Sequence, residues 1–341
     1  MKTKLFLNIA LMLAFICNSQ SVITVDNSVG SNAQFSDLQS AIAIASSGDI
    51  IYIHPSEINY GNINVDKTLH LRGFGHSDPD KATLITDLIL GENASNSSFS
   101  GLRLTDDFIV DNLSTTLTGL VFENNVVDQI ILRDAGVDDM LIRGNVFRQI
   151  GDLSSSSTFN NYTNTIISNN IIIERIYLKN YQSVEVKNNI ILVTNTIPVI
   201  NQGNTNGSVT VQNNIIYFSS SSTFDSNSAG VIFENCLNYN FGTGNVVALA
   251  GTNNIANIDP LFVSATDSNF DAETDDYHLQ GGSLAIGNGV AGEDMGIFNA
   301  GPFVFNNFGY TNGIPTVKIT AITNSVTVGG NIEVTIDTNS N

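Results

Sequence analysis

A short motif built on asparagine recurs through the middle of the chain and constrains its fold more than any other feature. The motif is an asparagine or glycine, then an asparagine, then two apolar residues. Its copies stand at 124–127, 144–147, 169–172, 188–191 and 213–216. With the second position as a marker, successive copies lie 20, 25, 19 and 25 residues apart. Self-similarity at this period predicts a solenoid, in which each repeat packs only on its neighbours.

Alignment of the repeats on the marker sorts the other positions. The residues five and three places before it are nearly all apolar, which predicts that they point inward. They are Leu120 and Phe122, Met140 and Ile142, Thr165 and Ile167, Val184 and Val186, and Val209 and Val211. The residue after the marker is always β-branched and suits the interior of stacked strands. We expect the marker asparagine both to turn the corner in left-handed geometry and to bond its equivalents in adjacent rungs.

Residues 36–47 have the pattern of a short amphipathic helix. Ser36 can cap its start, and Gly48-Asp49 ends it before the extended run 50–53. One apolar stripe runs along it, formed by Phe35, Leu38, Ala41, Ile42 and Ala45. An open solenoid end would leave a full rung of backbone unpaired, so we expect this helix to cover the N-terminal end.

Two stretches resemble the pectate-lyase-like right-handed parallel β-helix proteins that bacteria secrete. One is the helix followed by Gly-Asp-x-Ile-x-Ile at 48–53; the other combines Asp-Pro-Leu-Phe at 259–262 with Tyr-His-Leu-x-x-Gly-Ser-x-Ala-Ile at 277–286. The resemblance implies an all-β, single-stranded right-handed parallel β-helix over 22–302, with an N-terminal helical cap. Residues 303–341 are then expected to form a C-terminal β segment or the start of a truncated β-sandwich module.

The first 21 residues predict export. Lys2 and Lys4 precede an apolar run at 5–16 and then small and polar residues, which is the pattern of a secretory signal peptide. We therefore expect the protein to be secreted, extracellular or at the cell surface. The remaining chain keeps one cysteine, Cys236, so it cannot form an intrachain disulfide.

Charge and hydropathy limit the partners. Removal of residues 1–21 takes away two lysines and no acidic residue, so the net charge of −19 becomes −21. Such a surface repels nucleic acid and anionic lipid, which excludes both as principal partners. No later apolar run is long enough for a membrane span. We expect a monomer whose partner is a polysaccharide or a cell-surface glycan.

Basic residues cluster between 133 and 187, as an acidic sugar substrate would require. The repeat alignment offers another account of two of them. Glu123 and Arg143 share one position of the repeat, and Asp128 and Arg148 share another. Because neighbouring rungs lie about 4.8 Å apart, both pairs are predicted to be cross-rung ion pairs with a structural role.

The rung at 174–181 is the candidate binding site. Insertions near 151–162 and 194–207 should flank it on one side of the solenoid. Tyr177, Lys179 and Tyr181 alternate and should share a face, with Arg175 beside them, and such a surface suits sugar rings. If the protein is an enzyme, Lys179 or Arg175 would be the base or charge stabiliser, assisted by Glu174. The alternative is an ordinary solvated rung.

Calcium is the one cofactor that the sequence suggests. Asp267, Asn269, Asp271 and Glu273 place oxygen ligands at alternate positions, as calcium loops do. The segment lacks the glycine and the distant glutamate of an EF-hand loop. The four histidines have no spacing typical of zinc or of a nucleophile triad, and no nucleotide-binding fingerprint is present.

Three functions fit these patterns. The first is a non-catalytic secreted protein that binds extracellular polysaccharide or mediates surface contact. The second, implied by the resemblance, is a polysaccharide lyase or hydrolase acting on an acidic glycan such as pectate or alginate. The third is a structural spacer in a larger surface assembly. An enzyme would need at least two catalytic groups that converge on adjacent rungs.

Overall fold

The computed structural model describes residues 20–341 except 79–80, 112, 134, 152–159, 179–182, 194–197, 203–207, 266, 300, 312–314, 323–328, 330–331 and 341. The predicted signal peptide at 1–21 therefore lies outside the described residues, apart from its last two positions. Lys179 and Tyr181 also lie outside them. No helix among the described residues is long and apolar enough to cross a membrane.

The described residues form one α-helix, α1 (Leu38–Ile44), a 3-10 turn at Val290–Gly292, and 31 strands. The first sixteen strands are β1 (Val22–Val25), β2 (Ile50–Ile53), β3 (Ile63–Val65), β4 (His70–Gly73), β5 (Leu84–Ile85), β6 (Leu88–Leu90), β7 (Ser98–Ser100), β8 (Arg103–Leu104), β9 (Phe108–Asp111), β10 (Thr116–Thr118), β11 (Val121–Glu123), β12 (Val126–Arg133), β13 (Ala135–Asp138), β14 (Leu141–Arg143), β15 (Val146–Ile150) and β16 (Asn160–Thr163). The others are β17 (Thr165–Ser168), β18 (Ile171–Leu178), β19 (Ser183–Lys187), β20 (Ile190–Val193), β21 (Ile200–Gln202), β22 (Ser208–Gln212), β23 (Ile215–Phe218), β24 (Phe233–Glu234), β25 (Leu237–Asn240), β26 (Gly251–Thr252), β27 (Ile255–Ala256), β28 (Phe262–Ser264), β29 (Asp276–Leu279), β30 (Pro315–Ile322) and β31 (Val334–Ser340).

Two long parallel sheets run the length of the molecule. The first sheet has eleven strands in the order β1-β2-β4-β7-β11-β14-β17-β19-β22-β24-β26, and the second has thirteen, its main path running from β27 back to β3. A third sheet, β10-β13-β16, closes part of the cross-section. The antiparallel pairs among the described strands are β28–β29 and β30–β31. The all-β right-handed parallel β-helix predicted from the sequence is confirmed.

The strands stack in the register that the asparagine marker predicts. Val126 pairs with Val146, Val146 with Ile171, Ile171 with Ile190, and Ile190 with Ile215. The predicted inward positions fill the core, where Phe122, Ile142, Ile167, Val186 and Val211 are at most 1% exposed. The two 25-residue intervals therefore leave the strand pairing intact, because their extra residues lie between the strands.

The marker asparagines form a buried ladder. Asn125, Asn145, Asn170, Asn189 and Asn214 have no exposed surface. Each Nδ2 donates to the Oδ1 of the next, at 3.2, 3.1, 3.0 and 2.9 Å in chain order. Each Oδ1 after the first also accepts from the backbone N–H of the preceding marker, at 2.9 to 3.0 Å. A complete network of this kind offsets the desolvation of buried amides.

A different residue turns the corner. The positive φ angles belong to Asn124, Asn169, Asn188 and Asn213 (52–57°) and to Gly144 (68°), each directly before a marker. The marker was expected to take both roles, and that prediction was wrong for the turn. The left-handed residue bends the chain from one sheet to the next, so that the following residue can enter a strand with its side chain directed inward.

The β-branched residue after each marker faces outward, not into the solenoid. Val146, Ile171, Ile190 and Ile215 are buried in a second hydrophobic cluster, separate from the main core. Alternation along a strand explains this: the marker points inward, the next residue outward, and the one after it inward again. The expectation of an interior position was therefore wrong, although these side chains are buried.

A C-terminal strap, residues 285–311, covers this outer row. It runs back along the corners of the rungs, where three corner asparagines donate hydrogen bonds from Nδ2 to its backbone carbonyls. The pairs are Asn235 to Asn288 O (2.7 Å), Asn188 to Asp294 O (3.2 Å) and Asn169 to Ile297 O (3.0 Å). Met295, Ile297, Phe303 and Phe305 join the outer cluster. At its far end Thr311 Oγ1 donates to Gly73 O at 2.6 Å.

Glycine replaces asparagine at corners where the strap comes closest. A Cβ on Gly144 would lie 2.4 Å from Phe303 Cζ, and one on Gly101 would lie 2.1 Å from Thr311 Oγ1. Both glycines also have positive φ. The parallel rungs end at β26 and β27, so the segment expected to supply terminal rungs up to residue 302 instead folds back outside the solenoid.

The N-terminal cap is present but shorter than predicted. Helix α1 packs Leu38, Ala41 and Ile42 against the first three strands, and these side chains are buried. Asp37 caps the helix instead of Ser36, since its Oδ1 accepts a hydrogen bond from Ser40 N at 2.7 Å. At the other end of the chain, β30 and β31 pair as an antiparallel hairpin.

Cys236 occupies the marker position of a later rung and yields a stability prediction. Asn214 approaches its Sγ through N (3.4 Å) and Nδ2 (3.8 Å), and Cys236 N donates to Asn254 Oδ1 (2.9 Å). Burial raises the pKa of this thiol to about 12. We expect Cys236→Asn to extend the amide ladder and stabilise the protein by about 1 kcal/mol.

The matched variant is Cys236→Ala, which leaves Asn214 N without its acceptor while Asn214 Nδ2 keeps Val186 O and Gln212 O. It should destabilise the protein by about 1–3 kcal/mol. Thermal unfolding followed by circular dichroism measures both. A lower melting temperature for Cys236→Asn than for Cys236→Ala would contradict a ladder role for this position.

Candidate functional site

An open groove, called here the lateral groove, lies on the outer face of the second sheet. Two adjoining cavities of about 320 and 390 Å³ form it, and they share Arg103, Val126, Val146 and Ile173. The first also contacts Leu104, Thr105, Val127, Asp128, Phe147 and Arg148. The second also contacts Ser77, Phe270, Asp271, Ala272 and Glu273. Side chains from distant parts of the sequence thus meet in one groove.

The floor of the groove belongs to the outward row that follows the asparagine ladder. Val126 and Val146 pair in register with each other, and Arg103 occupies the same row one strand earlier. The opposite wall is the loop between β28 and β29. Asp275 holds this loop in place, because its Oδ2 accepts from Asp271 N at 2.7 Å and from the Tyr277 hydroxyl at 3.3 Å.

The cations of the groove differ in their surroundings. Arg148 is fixed by Asp128 at 2.7 Å and by Glu174 at 3.3 Å. Their hydrogen bond lowers the pKa of Asp128 and raises that of Arg148, so both stay charged. Arg103 is exposed, donates to His76 O at 3.5 Å, and forms no salt bridge with any described carboxylate. It is the cation best placed to meet a ligand.

A row of polar residues lines the corner between the two halves of the second sheet. The register places Asp87, Asp107, Gln129, Gln149 and Arg175 at the same position of successive rungs. Gln149 Nε2 donates to Gln129 Oε1 at 2.7 Å. The row therefore changes from acidic at one end to basic at the other, directly beside the groove.

Three carboxylates converge at the acidic end. One oxygen from each of Asp87, Asp106 and Asp107 lies within 4.8 Å of the other two. Burial, followed by the charges of Asp106, Asp128 and Asp87, raises the pKa of Asp107 to about 6. Its Oδ1 is buried without a hydrogen-bond partner among the described residues. A carboxyl group in this state can donate a proton near neutral pH.

Both predicted cross-rung ion pairs are present. Arg143 binds Glu123, with Nε 2.9 Å from Oε2, and Arg148 binds Asp128. A third pair, Arg133 with Asp111 at 2.6 Å, follows the same rule. This pair was not predicted, because residues 108–111 lie before the first clear copy of the motif and so fall outside the repeat alignment.

The predicted binding rung is partly described. Arg175 and Tyr177 are only 8% and 5% exposed, and the guanidinium carbon of Arg175 lies 4.6 Å from the centre of the Tyr177 ring. An irregularity in β18 shifts the pairing so that Arg175 stands opposite Gln149. Glu174 lies 3.7 Å from Arg175 and also contacts Arg148. Tyr177 is thus no open platform, and the binding role of Lys179 and Tyr181 stays a prediction.

The predicted calcium loop forms the wall of the groove. Asp267 Oδ1 accepts from Asn269 N (2.8 Å), and Asp271 Oδ1 accepts from Glu273 N (2.9 Å). Asp267, Asp271 and Glu273 do not bring three carboxylate oxygens within 4.8 Å of one another, whereas Asp87, Asp106 and Asp107 do; the comparison covers the described residues. Calcium binding by this loop stays a prediction.

The fold and the groove together define a parallel β-helix protein with one laterally placed candidate site. The sequence matches no protein-family model, and no curated protein is similar to it. Among solved structures, the chain is similar to the crystal structure of pectate lyase Pel9A, with a TM-score of 0.46 and 11% identity. The match covers 82% of this chain and 96% of that chain. A similarity at this level does not extend to function.

The raised pKa of Asp107 predicts a pH-dependent effect on stability. An unfolded aspartate titrates near pH 3.9, so the folded protein binds the extra proton between about pH 4 and 6 and loses stability as the pH rises through that window. Asp107→Asn removes this cost. After allowance for solvent screening, we expect the variant to gain about 1 kcal/mol at neutral pH and nothing below the window.

Urea unfolding at neutral and at acidic pH measures the difference. Asp106→Asn is the companion variant, since it removes a neighbouring charge and should lower the pKa of Asp107, as followed by carboxyl NMR. An equal effect of Asp107→Asn at both pH values would show that folding does not raise the pKa of Asp107.

Proposed function

We propose that the protein is a secreted, non-catalytic binding protein for extracellular polysaccharide, and that the lateral groove receives its sugar rings. The observation that carries the proposal is the composition of the groove. An apolar floor and an aromatic ring lie beside an exposed arginine and two carboxylates. Sugar rings have apolar C–H faces and hydroxyl edges, and a site of this mixed character matches both.

Each part of the groove has a role in this proposal. Val126, Val146 and Phe270 would pack against the C–H faces of a sugar. Arg103 would donate hydrogen bonds to ring or hydroxyl oxygens, and Asp271 and Glu273 on the opposite wall would accept from hydroxyls. Secretion rests on the predicted signal peptide at 1–21. Lys179 and Tyr181 would extend the same contact surface if they face outward, as their alternation predicts.

Groove variants test this function. Screening against neutral and acidic polysaccharides should give retention, and isothermal titration should show that Arg103→Ala and Phe270→Ala each weaken binding by about tenfold or more. The matched controls are Arg72→Ala and Val304→Ala, which remove a cation and an apolar side chain elsewhere. Equal losses in the controls, or no retention on any polysaccharide, would refute the proposal.

A second candidate function is hydrolysis of a glycan at the acidic cluster beside the lateral groove. The observation that favours it is Asp107, whose pKa of about 6 would keep part of it protonated near neutral pH. Asp107 would protonate the glycosidic oxygen as the C–O bond breaks, while Asp106, whose carboxylate oxygen lies within 4.8 Å, forms a bond to the anomeric carbon. Water would then displace Asp106 from that carbon and return a proton to Asp107. Asp128 is held by Arg148 and would stabilise charge instead.

Product analysis separates binding from hydrolysis. If the second function holds, new reducing ends appear with wild type and decrease by at least about a hundredfold in Asp107→Asn, while groove affinity is retained. The lyase alternative would instead yield unsaturated uronate products and depend on Lys179, because Arg175 is buried against Tyr177. Binding without either product supports the non-catalytic function.

A further inference from the structure

We propose a second glycan subsite, the aromatic patch formed by Tyr239 and Phe241, which takes a neutral sugar ring of the same polysaccharide. The inference rests on the proposed function and adds to it a second contact and a ligand class. The patch lies on the second sheet, on β25 and the residue that follows it. Both rings are half-exposed, whereas the tyrosine beneath them is 6% exposed.

The patch is packed on a buried tyrosine, Tyr217. The Tyr217 ring stacks on Phe241 at 4.7 Å with an interplanar angle of 27°, and it lies 6.0 Å from the Tyr239 ring. Its hydroxyl donates to Ala265 O at 3.0 Å, and Phe241 N donates to Phe218 O at 3.0 Å. Preorganised rings lose little entropy on binding, which favours a role in recognition.

The surroundings of the patch select an uncharged ligand. Burial and then the charge of Asp259 raise the pKa of Tyr239. The pKa of Tyr217 is raised by burial and then by neighbouring charges, which include those of Asp259 and Asp267. The ion pairs that lysine and arginine form among the described residues lie between positions 111 and 187, and none of them is at this edge. An acidic rim repels uronates and phosphates but accepts hydrogen bonds from hydroxyls, so the chemistry fits a neutral sugar stacked on the aromatic faces.

The aromatic patch lies close enough to the lateral groove for one polysaccharide chain to contact both. Ile173 of the groove is on β18, and the second sheet continues through β20 and β23 to β25. Three steps at the usual spacing amount to about 14 Å. A polysaccharide of several units could therefore engage both sites, and the second contact would raise the affinity for long chains over short ones.

The test compares chain lengths in the full protein. Neutral and uronate oligosaccharides of two and of eight units are titrated calorimetrically against wild type and Tyr239→Ala/Phe241→Ala. We expect the double variant to lose at least about tenfold in affinity for the neutral octasaccharide and to bind the disaccharide as wild type does. Tyr239→Phe should retain wild-type affinity, since it keeps the ring, and Tyr52→Ala is the control on the first sheet.

The outcomes distinguish the two proposals. Binding by the groove with an unchanged octasaccharide affinity in the double variant overturns the second subsite alone. Tighter binding of uronate than of neutral octasaccharide, lost in the same variant, overturns the ligand class. The absence of binding by wild type and all variants overturns the proposed function itself. Thermal melting of each variant shows that the differences do not arise from unfolding.

Discussion

The buried amide ladder is the interaction on which the other features depend. A primary amide offers two donors and two acceptor sites, so an asparagine that is stacked every rung can satisfy its neighbours on both sides without water. A shift of the strand register by one residue would place an apolar side chain in the ladder and leave buried amides unpaired. Each unpaired group costs about 1–3 kcal/mol. The ladder therefore fixes the register of the rungs from Asn125 to Asn214.

A fixed strand register determines which side chains of neighbouring rungs are adjacent on the outer surface. Because Asp128 and Arg148 occupy equivalent positions, their pairing follows from the stacking of Asn125 on Asn145. In the rungs before the ladder, the strand register alone aligns Asp87 with Asp107 and places Arg103 at the end of an apolar row. The charges that the strands place around the groove are thus consequences of the stacked core, whereas Asp271 and Glu273 depend on the loop between β28 and β29.

The strap decides which part of that surface remains accessible. From Asn235 to Asn169 the corner residues hold the strap, and the outward isoleucines there are buried beneath it. Nearer the N-terminal end the strap leaves Val126 half-exposed, and the loop before it supplies Phe270 as a wall. The lateral groove is the interval between two packed regions, which accounts for its mixed apolar and charged lining.

The sequence predicted the features that depend on nearest-neighbour stacking. The repeat period predicted the solenoid, the strand register and the two ion pairs, since each involves residues about 20 positions apart. It could not give the outward direction of Ile171 and Ile190, because an apolar residue at a strand position is compatible with either face until a covering segment is known. Cys236 was missed as a ladder member because its residue type broke the pattern.

The groove itself lies beyond this kind of reasoning. It joins Arg103 and Val126 to Phe270 and Glu273, residues separated by well over a hundred positions, and only the reversal of the chain after β27 brings them together. The acidic cluster was equally hidden, since Asp87 and Asp106 belong to early rungs that lack the asparagine motif. Features built on a long return of the chain leave no periodic signal.

That return also changes how the molecule holds together. A simple repeat protein is a row of units that interact only with their neighbours, so its ends can fray and its rungs can unfold one after another. Here Thr311 is hydrogen-bonded to Gly73, 238 residues away, after the strap has contacted rung after rung between them. Opening any middle rung must disturb a segment anchored at both ends. The strap thereby links rungs that are not neighbours, so we expect the solenoid to unfold as one cooperative unit. The long loop that must close to form the contact between Thr311 and Gly73 should make its folding slow.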